Sequence, residues 1–250
     1  FVFFIQPELS RLRGIAYEKL AGSNLKDLTK RSDTVVLDYE GKTLGTINAG
    51  HFVYVTIDQI SPNLQRAYIA QEDRKFLSHN GVDYKATLRA FVQLVKNKGK
   101  ITQGGSTITQ QVVKNTYLTA ERTYTRKIVE IILAQELEKR YSKADIMEIY
   151  CNTNFYGNNC YGVEAASQFY FDKAAKDLSI EEAATLAGIS NAPTRYDPLR
   201  HPDRAVKKRN QVLKSMETVG YLSEEEYEKA ISTEFTISKN TQKSTDEDYL

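Results

Sequence analysis

Two glutamates, Glu72 and Glu130, and the cations near them are the residues of this sequence best placed to do chemistry. Glu72 opens the run E-D-R-K-F-L-S-H-N-G, which packs a carboxylate pair and His79 into one short segment. Leu64, Tyr68 and Glu72 recur at four-residue steps, so on a helix this carboxylate shares a face with apolar side chains. A charge there is costly unless it is paired or employed. Taken alone, a Glu-Asp pair ending a helix is more often a surface feature. Further on, Gln103 to Asn115 reads Q-G-G-S-T-I-T-Q-Q-V-V-K-N. Gly104 and Gly105 free the backbone to turn, Ser106 or Thr107 can cap a helix, and Thr107 with Gln110 fits a capping box. The start of a helix offers unpaired N–H groups to a phosphate, and Lys114, one turn beyond Gln110, adds a full positive charge. An ordinary capped helix would show the same capping pattern. Glu130 interrupts an apolar run, with Arg126 four and Lys127 three residues before it, so the three project to one side. That trio is either an internal salt bridge or a polar wall that handles phosphate charge.

These residues need elements to hold them. Ser61 as N-cap and Pro62 at the first helical position start a helix that ends near Glu72. From Tyr84 to Ile101, Leu88, Phe91, Val92 and Val95 form an apolar stripe backed by Lys96, Lys98 and Lys100. Such a stripe is either core with a solvated end or a face lying in a membrane interface. Thr123 to Arg140 reads as a long helix, apolar on most sides and therefore expected to be buried. Ser142 with Asp145, Ser179 with Glu182, and Ser223 mark three further helix starts. The second of these helices is expected to end at Gly188. The loop from Asn152 to Gly162 turns sharply. A helix from about Asp203 to Val219 stops at Gly220, its Arg204, Lys207, Lys208 and Arg209 forming mostly a solvated face. Thr34 to Ile47 reads as a hairpin turning at Glu40-Gly41-Lys42, with His51 to Val55 a further strand.

Composition sets outer limits. With 250 residues, 41% hydrophobic and 10% aromatic, the chain can form one large or two small domains. A formal net charge of +2 decides little. Two cysteines rule out a disulfide scaffold, and no ligand set argues for structural zinc. The opening F-V-F-F-I is far shorter than the about 20 residues that cross a bilayer, which leaves a buried strand or the stump of an anchor. Pro7 to Asp33 reads as polar and helical in parts, and its S-x-x-K at Ser23 and Lys26 is a chance match, since no partner motif follows.

The first two motifs of peptidoglycan glycosyltransferases resemble E-D-R-K-F-L-S-H-N-G and G-G-S-T-I-T-Q-Q-V-V-K-N. These enzymes are the lysozyme-like domains of class A penicillin-binding proteins and of their monofunctional relatives. Three more motifs follow in the family's order: R-K-I-V-E at Arg126 to Glu130, K-A-D-I-M-E-I-Y-C-N at Lys143 to Asn152, and K-R-N-Q-V-L at Lys208 to Leu213. The resemblance covers about Ile57 to Gly220 and implies a mainly α, lysozyme-like helical domain with a small N-terminal β element. On this reading, residues 1–33 are a juxtamembrane segment, 34–56 the β element, 57–232 the glycosyltransferase domain, and 233–250 a polar tail or linker.

The activity implied is polymerisation of lipid II into β-1,4-linked glycan, with inversion at the anomeric carbon and release of undecaprenyl pyrophosphate. Glu72 carries over as general base, and Glu130, Lys114, Arg126 and Lys127 as groups that bind substrate and stabilise leaving-group charge. Asp73, Phe76, His79, Thr107, Gln110, Gln111 and Asn115 match motif positions expected to shape the cleft. Phosphate charge could recruit Mg²⁺ or Mn²⁺, and no organic cofactor is expected. The implied partners are lipid II, the growing strand, the membrane surface and a transpeptidase domain following this segment, but not nucleic acid. The implied location is the extracytoplasmic face of a bacterial cytoplasmic membrane, with F-V-F-F-I as the anchor's stump and the 84–101 stripe dipping into the interface. Oxidation is possible there, so Cys151 and Cys160 either pair or stay as buried thiols. The family usually has a leucine-like residue at the first of these positions, a departure that leaves the role of the pair open. Two other readings keep the fold: a lytic enzyme that cleaves glycan, and a binding module without catalysis. The basic residues and the G-G-S-T-I-T-Q-Q helix start favour a phosphate leaving group, which a hydrolase does not need.

Overall fold

The computed structural model describes residues 2–21, 34–47, 51–96, 105–118 and 124–238. The architecture is mainly α, with small two-stranded sheets, as the resemblance implied. Two compact units divide the chain: Phe1–Leu28 with Tyr68–Tyr150, and Thr29–Ala67 with Cys151–Leu250.

The first unit contains α1 (Val2–Ala21), the second half of α2 (Pro62–Glu72), α3 (Tyr84–Lys96), α4 (Ile108–Tyr117), α5 (Tyr124–Arg140) and most of α6 (Lys143–Thr153). The opening apolar run is helical, not a strand. Leu12, Ala16 and Leu20 recur at four-residue steps and are all buried where α1 packs on α5. Arg140 of α5 donates across this seam to the Leu20 carbonyl at 3.3 Å, and Lys19 of α1 donates to the carbonyl of Tyr117, the last residue of α4, at 3.1 Å. The face of α5 carrying Val129, Leu133, Ala134 and Leu137 is buried, whereas Ile128 is 38% exposed. The expectation of burial on most sides is therefore corrected: α1 and α4 cover a stripe of α5, not its whole girth. Ser23 and Lys26 lie outside the described residues, as do Lys98 and Lys100. Among the described residues, no helix is long and apolar enough to cross a membrane.

The second unit holds the expected hairpin, β1 (Thr34–Leu37) with β2 (Thr43–Ile47), turning through Gly41 at φ +83°. The strand expected from His51 to Val55 shrinks to β3 (His51–Phe52), which pairs in parallel with β4 (Cys160–Tyr161). Beyond Phe52 the backbone turns to a different partner, the Asn152 side chain, which accepts from Val55 N and donates to Val55 O. The loop from Asn152 to Gly162 does turn sharply, with positive φ at Gly157, Asn158, Asn159 and Gly162.

Helices α7 (Val163–Phe171), α8 (Ile180–Asn191), α9 (Pro202–Thr218) and α10 (Glu224–Ser232) complete this unit. The capping box of Ser179 with Glu182 forms as the sequence suggests, and Ser223, expected as a helix start, makes a box with Glu226 as well. Helix α8 does not stop at Gly188. A Cβ there would lie 2.9 Å from Lys208 Cγ, so the glycine serves close packing of α8 on α9 rather than termination. Nor is the basic stretch of α9 a wholly solvated face, because Lys208 and Arg209 are 6% and 3% exposed. Arg209 turns inward to donate to the Ile231 and Thr233 carbonyls at the end of α10, and burial pulls its pKa down. Past α10 the first tail residues run along this unit, with Phe235 under the Arg209 guanidinium and Ser238 N donating to the Tyr170 carbonyl. Residues 239–250 lie outside the described set.

Candidate active site

Glu72 is the last residue of α2 and is half-buried. The Ser61 and Pro62 start forms as expected, and Ser61 Oγ accepts from Asn63 N at 3.3 Å. Leu64 and Tyr68, the earlier residues of the same row, are fully buried, so the row leads from apolar core to a partly exposed carboxylate. Gln111 Nε2 donates to Glu72 Oε2 at 3.2 Å, and Gln111 Oε1 accepts from the Tyr150 hydroxyl at 3.4 Å.

Helix α4 starts as its sequence dictates. Thr107 Oγ1 accepts from Gln110 N at 3.1 Å, and Gln110 Oε1 accepts from Thr107 N at 3.0 Å. Thr107 Oγ1 also donates to the Gly81 carbonyl at 2.6 Å. Of the two readings of this helix start, the capped helix forms, and one of its N–H groups meets an anion of the protein itself: Asp73 Oδ2 accepts from Ile108 N at 3.0 Å. His79 Nε2 donates to the same oxygen at 2.8 Å, so Asp73 is held from two sides at 7% exposure.

Glu130 is 2% exposed and takes its charge compensation from its own helix. Lys127 donates to Glu130 Oε1, Arg126 Nη1 lies 3.7 Å from Oε2, and Gln110 Nε2 donates to Oε1 at 3.2 Å. Lys127 reaches Ser106 Oγ as well, at 3.1 Å, tying the helix to the turn before α4. Adjacent glutamines of α4 thus hold the two glutamates, Gln111 holding Glu72 and Gln110 holding Glu130. Lys114 and Asn115 lie exposed on α4, with Lys114 making no ion pair among the described residues.

Three residues behind this array escaped the sequence reading. The Lys143 ammonium donates to both oxygens of Glu138 at 2.6 Å and to the His79 carbonyl at 2.7 Å, and lies 4.7 Å from the buried Phe76 ring centroid. Thr109 Oγ1 donates to Glu138 Oε1 at 2.5 Å. The cluster seats the Phe76 and His79 segment, and through His79 it seats Asp73. A signal did exist: Glu130, Ala134 and Glu138 recur at four-residue steps, which puts a second carboxylate on the buried row of α5. Among the described residues, no group of three His, Cys, Asp or Glu side chains is arranged to hold a metal. Cys151 and Cys160 are both buried and are not joined in a disulfide, and burial pushes the Cys160 thiol up to about 12.

A family model described as transglycosylase matches residues 40–217. Penicillin-binding protein 1A of Aquifex aeolicus is 45% identical over 86% of this chain and 30% of its own length. Penicillin-binding protein 1F of Bacillus subtilis is 39% identical over 80% of this chain and 28% of its own. This chain therefore spans under a third of the length of these relatives. A solved structure of penicillin-binding protein 1A from Haemophilus influenzae is similar at a TM-score of 0.46 and 22% identity, covering 83% of this chain and 21% of that one. With the family match running through Glu72, α4 and Glu130, the chain belongs to the transglycosylase family.

Proposed function

We propose that this domain polymerises lipid II into β-1,4-linked glycan, with Glu72 as the base. The observation that carries the reading is the pair of neighbouring glutamines on α4 holding one carboxylate each, the second of which is bracketed by cations. The 4-hydroxyl oxygen of the acceptor sugar attacks the donor's anomeric carbon, its proton passes to Glu72, and the bond to the pyrophosphate oxygen breaks. Attack from the face opposite the α-linked leaving group gives the β product without a covalent sugar-enzyme intermediate, as in inverting glycosidases. Gln111 fixes the orientation of the Glu72 carboxylate through Oε2. Glu130 aims Arg126 and Lys127, which with the exposed Lys114 offset charge developing on the leaving diphosphate. Asp73 already takes the Ile108 N–H at the start of α4, which favours the side-chain cations as the groups that meet this charge.

Glu130 already faces Lys127, Arg126 and Gln110, so a Mg²⁺ or Mn²⁺ ion taking part in the reaction would find its oxygens chiefly on the substrate diphosphate. The proposal places the domain on the extracytoplasmic face of a bacterial membrane and includes a transpeptidase domain following it in the natural chain. The test is polymerisation of lipid II, with substrate binding measured in parallel. Glu72→Gln should retain binding and lose turnover by about 100-fold or more, the scale of general-base help. Glu130→Gln should weaken both. A Glu72→Gln protein keeping a tenth of wild-type turnover removes Glu72 from the role of base. Digestion of preformed glycan instead of polymer formation identifies a lytic enzyme.

A further inference from the structure

In the second unit, a cavity of about 340 Å³ is lined by Arg195, Tyr196, Arg204, Lys207, Lys208 and Gln211. Four of these six residues are cations and none is an acid. Arg204 with Lys208, and Lys207 with Gln211, stand four residues apart on α9, which gathers the group onto one side of the helix. Arg195 arrives from the turn before α9, and its guanidinium carbon lies 5.5 Å from the Tyr196 ring centroid. The Lys208 ammonium lies 5.7 Å from the same ring. One aromatic ring therefore gathers two cations, a contact that holds their side chains in place. Arg195, Arg204 and Lys207 make no ion pair among the described residues, and all three are exposed. Of the two acids near the group in sequence, Asp197 accepts from Leu199 N at 2.9 Å and lies 3.6 Å from Arg200, and Asp203, exposed in the first turn of α9, makes no ion pair among the described residues.

Like charges gathered in this way repel one another, and a bound anion relieves that cost. The cavity falls in the range of small-molecule sites, and guanidinium groups match the geometry of phosphate oxygens. We propose that it is an anion site for a phosphate-bearing group, built from none of the residues of the candidate active site. Arg195, Arg204 and Lys207 donate to the phosphate, and Tyr196 with the buried Lys208 forms the floor. The phosphate belongs either to a soluble diphosphate or to an anionic lipid headgroup, and the experiment separates the two.

Amide chemical shifts of isotope-labelled protein are followed during titration with inorganic pyrophosphate at low salt, for wild type and for Arg204→Gln/Lys207→Gln. Both replaced residues are exposed, so the core is untouched. Tyr196 and Gln211 should shift saturably in wild type, and affinity at these amides should fall about tenfold or more in the variant, as for loss of two charge-assisted hydrogen bonds. Shifts near Lys114 should persist in both proteins. In the second arm, both proteins are sedimented with phosphatidylglycerol or phosphatidylcholine vesicles. A loss confined to pyrophosphate identifies a soluble ligand, and one confined to phosphatidylglycerol vesicles a headgroup. If the variant matches wild type with both probes, the cavity is not an anion site. Lys207→Glu gives the same reading should the double variant fail to fold.

Discussion

Lys143 is the side chain on which most of the candidate site's support converges, since it grips Glu138, the His79 carbonyl and the Phe76 ring together. Replacing it by Met should leave Glu138, 5% exposed in its side chain, without its cation. Removing one partner of a buried pair typically costs about 3 kcal/mol or more, so chemical denaturation of Lys143→Met should show a loss on that scale. Adding Glu138→Gln should restore part of it, and that recovery separates charge from packing. The catalytic candidates themselves were legible, because Glu72, Glu130, Arg126 and Lys127 sit in short patterns whose spacing survives folding. The role of Asp73 was not. It contacts Ile108 across 35 residues, a pairing that no local pattern announces, and it puts a carboxylate of the protein itself at the start of α4.

The helix starts show the same division. The boxes at Thr107, Ser179 and Ser223 involve residues three apart, so the sequence alone predicts them. The end of α8 was misread because Gly188 is explained by Lys208 of another helix and not by its own neighbours. Asp83 caps α3 in a comparable way, its Oδ1 accepting from the Lys85 and Ala86 amides at 3.0 Å. The hydrogen bond from Ala86, aided by the charge of Lys75, holds the Asp83 carboxyl below the usual carboxylate range. A carboxylate with a depressed folded pKa stabilises above its unfolded value, near 4, and that contribution is lost as pH falls through the folded value. Asp83→Ala should therefore cost about 1 kcal/mol at neutral pH, and the gap from wild type should narrow as the pH drops below about 4. Thermal melts across pH 2.5 to 7 measure both the size and the trend.

A net charge of +2 cannot by itself draw the chain to an anionic bilayer, so any attraction of this domain to one must come from local surface. Leu77, Tyr84 and Leu88 are 67%, 60% and 64% exposed, and Lys85, Arg89 and Lys96 stand exposed on the same helix as the last two. The side chains of Phe91, Val92 and Val95, which completed the stripe in the sequence, lie outside the described set. Leu88→Ser should weaken sedimentation with anionic vesicles about tenfold, the effect of losing one buried leucine side chain, and leave the melting temperature unchanged. Equal sedimentation by the folded variant rules out this face. Packing of α1 on α5, by contrast, joins distant stretches of chain and had no local signature beyond the Leu12, Ala16 and Leu20 row.

Gly81 sits at φ +86°, and a Cβ built on it would lie 2.5 Å from the Ala134 carbonyl oxygen. Its own carbonyl receives the Thr107 hydroxyl. One residue without a side chain is thus the hinge pin between the α5 backbone, the cap of α4 and the loop that carries His79. Added bulk there has nowhere to go except into a main chain, so a single methyl group should act as a wedge. Gly81→Ala should prise the loop from α5 and loosen the seat of Asp73, and the proposed polymerisation should fall although no group proposed to touch substrate has changed. Hydrogen exchange at the Ile108 and Gln110 amides, faster in Gly81→Ala than in wild type, would register the wedge directly. Position 81 is then closed to any residue that carries a Cβ, and the space behind the loop belongs to the α5 backbone alone.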